Sequence, residues 1–306
     1  MFIICLFFLL RSLKISITKH LAYELIKDQF PQFSHLIIVP VEYGGIDNKT
    51  FHLGNEMLVR MPSAKGYAAQ VAKEQKWLPK LSSCLSMQIP EPVCMGNPSK
   101  NYPWHWSIYK WISGTSLNQL EVNNLHLSEI AVDLACFIKD LHQVDVKGMP
   151  EGGLHNYHRG CHLSIYDSGV KSDIQKLSNL IDVDKALFIW ETAISSKWDK
   201  DLVLVHGDFA SSNILLKDNK VNAIIDFGCM GVGDPACDLV INWTFLKGES
   251  RKIFKEQLNI DANTWKRARG WALWKANFEL VAIADKDSLN AHRKLELIND
   301  ILLDRA

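Results

Sequence analysis

The chain has 306 residues, 47% of them hydrophobic and 22% charged, which is enough apolar material to bury the core of one large domain or two lobes. Lysine plus arginine (34) balances aspartate plus glutamate (34), so the chain lacks the basic excess of a nucleic-acid binder and no nucleic-acid partner is expected. Its seven cysteines form no CxxC pair and are odd in number, which argues against a disulfide scaffold or a paired-cysteine zinc site and fits a reduced, cytoplasmic compartment.

Residues 1–10 are almost wholly apolar, with Arg11 and Lys14 behind them. The run falls short of the ~20 residues that span a bilayer, and no positive charge precedes it as in a signal peptide. Residues 1–14 therefore read as an extension, loosely packed or covering local apolar surface, with no membrane span. Residues 16–30 place Ile17, Leu21, Leu25 and Ile26 at helical spacing before Pro31. A strand over 36–41 holds Pro40, which marks an edge. A turn-rich loop over 42–49 contains Gly44, Gly45 and Asn48, and strands over 50–53 and 57–61 pair around Gly54. Residues 67–78 form a helix with Tyr67, Val71, Gln75 and Leu78 on one face and Glu74 beside it. The aromatic run over 104–111 alternates as a strand and leads into Ile112-Ser113-Gly114, with Trp104 and Trp106 read as core.

Beyond Gly114 the pattern turns helical. Ser128 is the expected N-cap of a helix over 129–144 with Ile130, Leu134, Phe137, Ile138 and Leu141 as its apolar stripe. His142 near its end reads as a packed or capping residue. Residues 152–160 (GGLHNYHRG) form a loop rich in the residue types that line sites, which makes His155, Tyr157, His158 and Arg159 substrate-side candidates. Further helices are expected over 177–197, 251–258 and 264–284, the last rich in tryptophan.

Residues 203–246 carry the chemistry. A short apolar run over 203–205 ends at His206-Gly207-Asp208, which puts Asp208 on a loop at a strand end. Asn213 follows, then an apolar run over 214–216, a polar turn and a second run over 221–225, together a hairpin. Asp226-Phe227-Gly228 closes it, and Gly228 is expected to permit a sharp turn. Two loop carboxylates with a carboxamide between them suit phosphoryl transfer. A hydroxyl acceptor needs a carboxylate to orient it and take its proton, and magnesium needs hard oxygen ligands beside the phosphates.

His206-Gly207-Asp208 with Asn213, followed by Ile225-Asp226-Phe227-Gly228, resembles the motif pair of kinase-like phosphotransferases. Glycine stands where protein kinases carry arginine in the first motif. With Gly233-Asp234-Pro235-Ala236-Cys237-Asp238 downstream, the stretch is similar to the aminoglycoside phosphotransferase family, a branch acting on small molecules. The resemblance implies an α+β, bilobal protein-kinase-like fold, with an N-lobe of antiparallel sheet plus helix over 15–112 and a mainly helical C-lobe over 113–306. It implies that Asp208 is the catalytic carboxylate, that Asn213 and Asp226 are magnesium ligands, and that Asp238, helped by Asp234, braces the catalytic loop. Gly44, Gly45 and Asn48 would form the nucleotide loop. Arg60 stands at the strand position where the kinase pattern has lysine, with Glu74 as its partner, and backbone groups at Lys110 and Ile112 would meet the nucleobase. His155, Tyr157, His158, Arg159, Trp271 and Trp274 would wall the acceptor.

The implied activity moves the γ-phosphate of ATP or GTP, with Mg²⁺, to a hydroxyl of a small molecule, in a monomer or weak dimer. An aminoglycoside-type antibiotic is one acceptor; an amino sugar, a macrolide sugar, homoserine or a choline-like alcohol is the metabolic alternative. A polycation asks for a carboxylate-rich site. Residues 113–200 lean acidic, whereas Lys266, Arg267, Arg269 and Lys275 make the C-terminal helices basic. A protein Ser/Thr kinase is disfavoured because no A-P-E segment follows Gly228. A nucleotide-binding pseudokinase without turnover is favoured by Arg60 in the lysine's place and opposed by the presence of Asp208, Asn213 and Asp226.

Overall fold

The computed structural model describes residues 15–42, 45 and 47–304. The apolar extension over 1–14 and Gly44 of the expected nucleotide loop lie outside the described residues. The chain divides into two compact units. One comprises the described residues up to Gly114 together with Asn222–Gly228, and the other Thr115–Val221 together with the chain from Cys229 onward.

The first unit opens with helix α1 (Lys19–Gln29), whose N-cap Thr18 accepts a hydrogen bond from the Leu21 amide at 3.1 Å. A five-stranded antiparallel sheet follows, in the order β1 (Ile38–Pro40), β2 (Asn48–Leu53), β3 (Met57–Pro62), β5 (Trp106–Lys110), β4 (Pro92–Gly96). Pro40 sits on an edge strand, where its missing N–H costs no ladder bond. Period-2 alternation sends Phe51, Leu53, Val59, Met61, Trp106 and Ile108 into a core shared with Leu25 and Ile26 of α1. Arg60, between Val59 and Met61, therefore emerges on the opposite face, opposite Thr50 and Ser107 in the register. Helix α2 (Lys65–Leu81) buries Gln70, Val71, Glu74, Trp77, Leu78 and Leu81. This 3-4 spacing rotates the buried face away from Tyr67 and Gln75 and makes Glu74 one of its members.

The second unit is mostly helical. Helix α3 (Leu127–Gln143) buries the expected stripe, but His126 is its N-cap and Ser128 lies inside the first turn. The helix expected over 177–197 starts six residues later, as α5 (Val183–Ser195), and a helix not expected, α4 (Asp167–Lys176), precedes that range. Asp182 separates them, because its carboxylate caps α5 by accepting from the Lys185 amide at 3.1 Å. Strand β6 (Thr115–Ser116) pairs with β8 (Ile214–Lys217), and β7 (Val203–Val205) pairs antiparallel with β10 (Gly231–Gly233). Asp218 and Asn219 both take positive φ, the two-residue turn that leads into β9 (Lys220–Ile224). After the one-turn helix α6 (Ile241–Thr244) come α7 (Glu249–Gln257), α8 (Ala262–Ala282) and α9 (Leu289–Leu303). Helix α8 packs on α5 and α9, and α3 packs on α7. No described helix is long and apolar enough to cross a membrane.

Candidate active site

In the first unit several of the candidate side chains gather around Arg60. Its Nη1 donates to both oxygens of Glu74, at 3.0 and 3.1 Å, and its Nη2 donates to Asp226. Glu74 is almost fully buried, so the fork geometry of the guanidinium and a further bond from the Tyr109 hydroxyl (2.9 Å) offset the desolvation of its charge. With its amide oxygen turned toward Arg60, the buried Asn48 accepts from Nε at 3.2 Å and Nη2 at 2.9 Å. Burial opposes the charge on Arg60 most strongly, but Asp226 and Glu74 outweigh it and hold the guanidinium firmly protonated. Burial and the Glu74 charge push the Tyr109 hydroxyl up, which keeps it a donor.

Asp226 itself takes φ +67°, a left-handed conformation uncommon for a residue with a side chain. The turn expected of Gly228 is thus made by Asp226. Gly228 is needed for closeness instead, because a Cβ there would lie 2.6 Å from the side-chain oxygen of Gln70. The Lys110 amide, expected with Ile112 to face a nucleobase, donates to the Glu91 carbonyl (3.0 Å), and the Trp111 amide between them donates to the Glu56 carbonyl (2.7 Å), both within the unit. The exposed Lys110 ammonium pairs with Glu91, and Ile112 is half-buried. Gly45 is exposed, with open space where a Cβ would stand.

The second unit holds a different cluster. β7 delivers the chain into His206-Gly207-Asp208, where Gly207 takes φ +81° and approaches the Cys229 carbonyl so closely that a Cβ would lie 2.2 Å from it. Asp238, fully buried, accepts from the His206 amide at 2.6 Å and the Gly207 amide at 2.8 Å. Burial pushes its carboxyl up, against the pull of His206 and those two amides. Asp234 does a separate job: it caps the following turn through the Ala236 amide and pairs with the buried Arg267 at 2.6 Å. Asn213 donates from Nδ2 to the Asp208 carbonyl (2.9 Å) and carboxylate (3.3 Å), which turns its amide oxygen away from Asp208.

Asp208 is half-buried, and Lys275 of α8 meets it at 3.1 Å. Burial works to raise its pKa, but Lys275, Arg159 and His206 prevail and hold the carboxyl below the ordinary value. Lys275 figures in the sequence as one of the basic residues of the C-terminal helices but not as a site candidate. It comes 67 positions after Asp208, on a helix whose buried positions run almost all round and so show no polar face to read.

Arg159 lies over the ring of Trp274, 4.4 Å from its centroid, and 5.7 Å from that of Trp271. Its Nη1 is buried without a hydrogen-bond partner. Trp274 is half-buried, stacks with Phe278 and packs at a tilt against Tyr166. Trp271, expected on the acceptor wall, is 1% exposed and supports Trp274 from within the core. Tyr157 and His158 hold left-handed backbone angles in the tight loop before Arg159, and the Tyr157 carbonyl accepts from the Tyr166 hydroxyl. Burial lowers the His158 pKa. His155 turns back onto the Glu151 carbonyl at 2.8 Å. Of the four loop candidates, Arg159 is thus the one shown beside Asp208 and Trp274.

The sequence matches the model of the phosphotransferase enzyme family (APH) over residues 38–271, and the chain belongs to that family. It is a small-molecule phosphotransferase with the kinase-like α+β fold of the group. Its structure is similar to that of aminoglycoside 2′-phosphotransferase-IIIa in its GDP complex, with a TM-score of 0.74, 18% identity, and coverage of 94% of this chain and 99% of that one. It is also similar to APH(2″)-IIa in a ternary complex with streptomycin and ATP (TM-score 0.60, 19% identity, 95% and 98% coverage). A third likeness is APH(4)-Ia with AMP-PNP and hygromycin B (TM-score 0.61, 17% identity, 92% and 97% coverage). A search of curated proteins returns no match.

Proposed function

We propose that the protein transfers the γ-phosphate of ATP or GTP to a hydroxyl of a small molecule, with Asp208 as the catalytic carboxylate. The observation that carries this reading is the state of Asp208: a half-buried carboxylate on a loop tied down by Asp238, kept ionised by Lys275 and Arg159. Such a group can accept a hydrogen bond from an acceptor hydroxyl and take its proton as the oxygen attacks the γ-phosphorus. The new O–P bond forms as the bond to the β-phosphate oxygen breaks, the nucleoside diphosphate departs, and the proton passes from Asp208 to solvent. To receive the acceptor, Asp208 must share or release its bond to Lys275.

The donor set suits a magnesium ion. Asp226 offers a half-exposed carboxylate and Asn213 an amide oxygen that accepts from the Ser212 hydroxyl at 3.5 Å, and no cluster of three or more His, Cys, Asp or Glu occurs among the described residues. Magnesium takes one or two protein oxygens and fills its octahedron with phosphate and water. When bound, the ion would neutralise phosphate charge. Arg60, locked between Glu74 and Asp226, supplies the fixed positive charge of the nucleotide side, and Asn48 and Gly45 belong to the same side. A pseudokinase reading finds less support, because all three catalytic-pattern side chains are present and Asp208 is held ionised.

The test is nucleotide turnover with Mg²⁺ over a panel of hydroxyl acceptors. Acceptor-dependent transfer that falls about 10³-fold in Asp208→Asn is the expected result. Failure to bind either ATP or GTP with Mg²⁺ overturns the reading.

A further inference from the structure

The surroundings of Asp208 are more positive than a site for a cationic acceptor should be. Lys275 reaches the carboxylate from α8 and already neutralises it. Arg159 adds a second cation on the Tyr166–Trp274 side, with Nη1 buried and unpartnered. The cluster therefore carries two cations against one catalytic carboxylate. Neighbouring acids on the same elements do not redress the balance: Asp234 is ion-paired with Arg267, and Glu279, one turn beyond Lys275, with Lys294 at 2.5 Å. Asp238 is buried against the loop amides. In the loop over 151–160 the sole acid is Glu151, exposed at its start. An ammonium group brought to Asp208 would meet Lys275 and Arg159 at like charge, whereas an anionic group would complete both.

We infer that the acceptor is a hydroxyl compound bearing a carboxylate or phosphate close to its reacting hydroxyl, and that Lys275 and Arg159 select it. The inference rests on the phosphotransferase reading and narrows it to an acceptor class. The Arg159 fork, held over the ring of Trp274, suits the two oxygens of such a group. Lys275, a flexible point charge, can swing from Asp208 to the anion as the hydroxyl takes its place on the carboxylate. The unpartnered Nη1 of Arg159 then gains the acceptor it lacks. A polyamine such as kanamycin has no counterpart for either cation.

A matched set on one scaffold tests this: glycerol, glycerate, glycerol 3-phosphate and 3-amino-1,2-propanediol, with kanamycin as the polycation. Dissociation constants are read by NMR titration in the presence of Mg²⁺ and AMP-PNP, and nucleotide affinity is measured separately on the same protein. The expected result is that glycerate or glycerol 3-phosphate binds about tenfold more tightly than glycerol and the amine, the size of one charge–charge contact at a partly exposed site. The two anions distinguish a carboxylate-reading from a phosphate-reading pocket. Lys275→Glu should abolish the preference and Lys275→Arg should keep it, a ratio that a purely structural lysine would not move. Lys275→Gln replaces the first variant if charge reversal prevents folding. Binding of the amine or kanamycin as tight as that of the anions overturns the inference, as does the absence of any anion preference, including no binding of the set at all. Loss of nucleotide binding in the wild type is a separate outcome that sinks the phosphotransferase reading itself.

Discussion

Both units hold a carboxylate against a cation, yet the two pairings differ in kind. Arg60 is fixed on a central strand and shared among Glu74, Asp226 and Asn48, with Tyr109 closing the far side of Glu74. Lys275 stands on a helix and pairs with a carboxylate that is itself 38% exposed. The first arrangement is a network in which removing one member strands a buried charge; the second is a single bond that an incoming ligand can exchange. Permanence suits the binding of a triphosphate, which is the same for every turnover. Exchangeability suits an acceptor that must arrive, react and leave.

The comparison can be broken most forcefully at Asp208. Asp208→Asn is expected to lower kcat by about 10³-fold while nucleotide affinity changes little, because the amide keeps the shape and loses the base; steady-state kinetics beside nucleotide titration reads both. Next comes Arg60→Ala, which leaves Glu74 buried and unpaired. A loss of about 3–5 kcal/mol in unfolding free energy is expected from denaturant titration, with Arg60→Lys falling between the two because it keeps charge without the fork.

Lys275→Gln sharpens the contrast through pH. Lys275 and Arg159 lower the Asp208 pKa against the effect of burial, so removing one cation raises it. The acid limb of the kcat/KM profile should therefore move to higher pH, while unfolding stability near neutrality changes far less than in Arg60→Ala. Smallest is Asp261→Ala at the N-cap of α8, the helix that carries Lys275. Asp261 accepts from the Thr264 amide at 2.8 Å, and its loss is expected to cost about 1 kcal/mol. Burial tends to raise the Asp261 pKa, but the Thr264 bonds and Lys200 bring it from 3.8 to about 2. The depressed folded value means that stability is present above 3.8 and is lost as pH falls through about 2, so wild type and variant should converge across that interval.

The stretch holding Asp208, Asn213 and Asp226 was legible as strands and turns because its pattern is local. The first sheet was legible for the same reason, since alternation at Phe51, Leu53, Val59 and Met61 marks both strands and the face from which Arg60 emerges. What escaped depends on other things. The late start of α5 rests on a single carboxylate, Asp182, which caps it at Val183 rather than at the expected residue 177. The N-cap of α3 fell two residues early, where a backbone choice at His126 left Ser128 inside the helix. Gly228 was legible as necessary but for a different reason, because Gln70, far away in sequence, approaches it. Lys275 reaches Asp208 across a tertiary contact between a loop and a helix buried on most sides, and neither spacing nor composition announces such a contact.

Asp238 lies 32 residues beyond the amide of His206 that it holds, and β10, which pairs with β7, stands just before it. A growing chain that ends near residue 230 already contains Asp208, Asn213 and Asp226, but not the carboxylate that ties the His206 and Gly207 amides in place. Strand pairing between β7 and β10 brings that carboxylate to the loop in the same event that completes the ladder. A nascent fragment ending near residue 230 therefore lacks the carboxylate that holds the loop carrying Asp208.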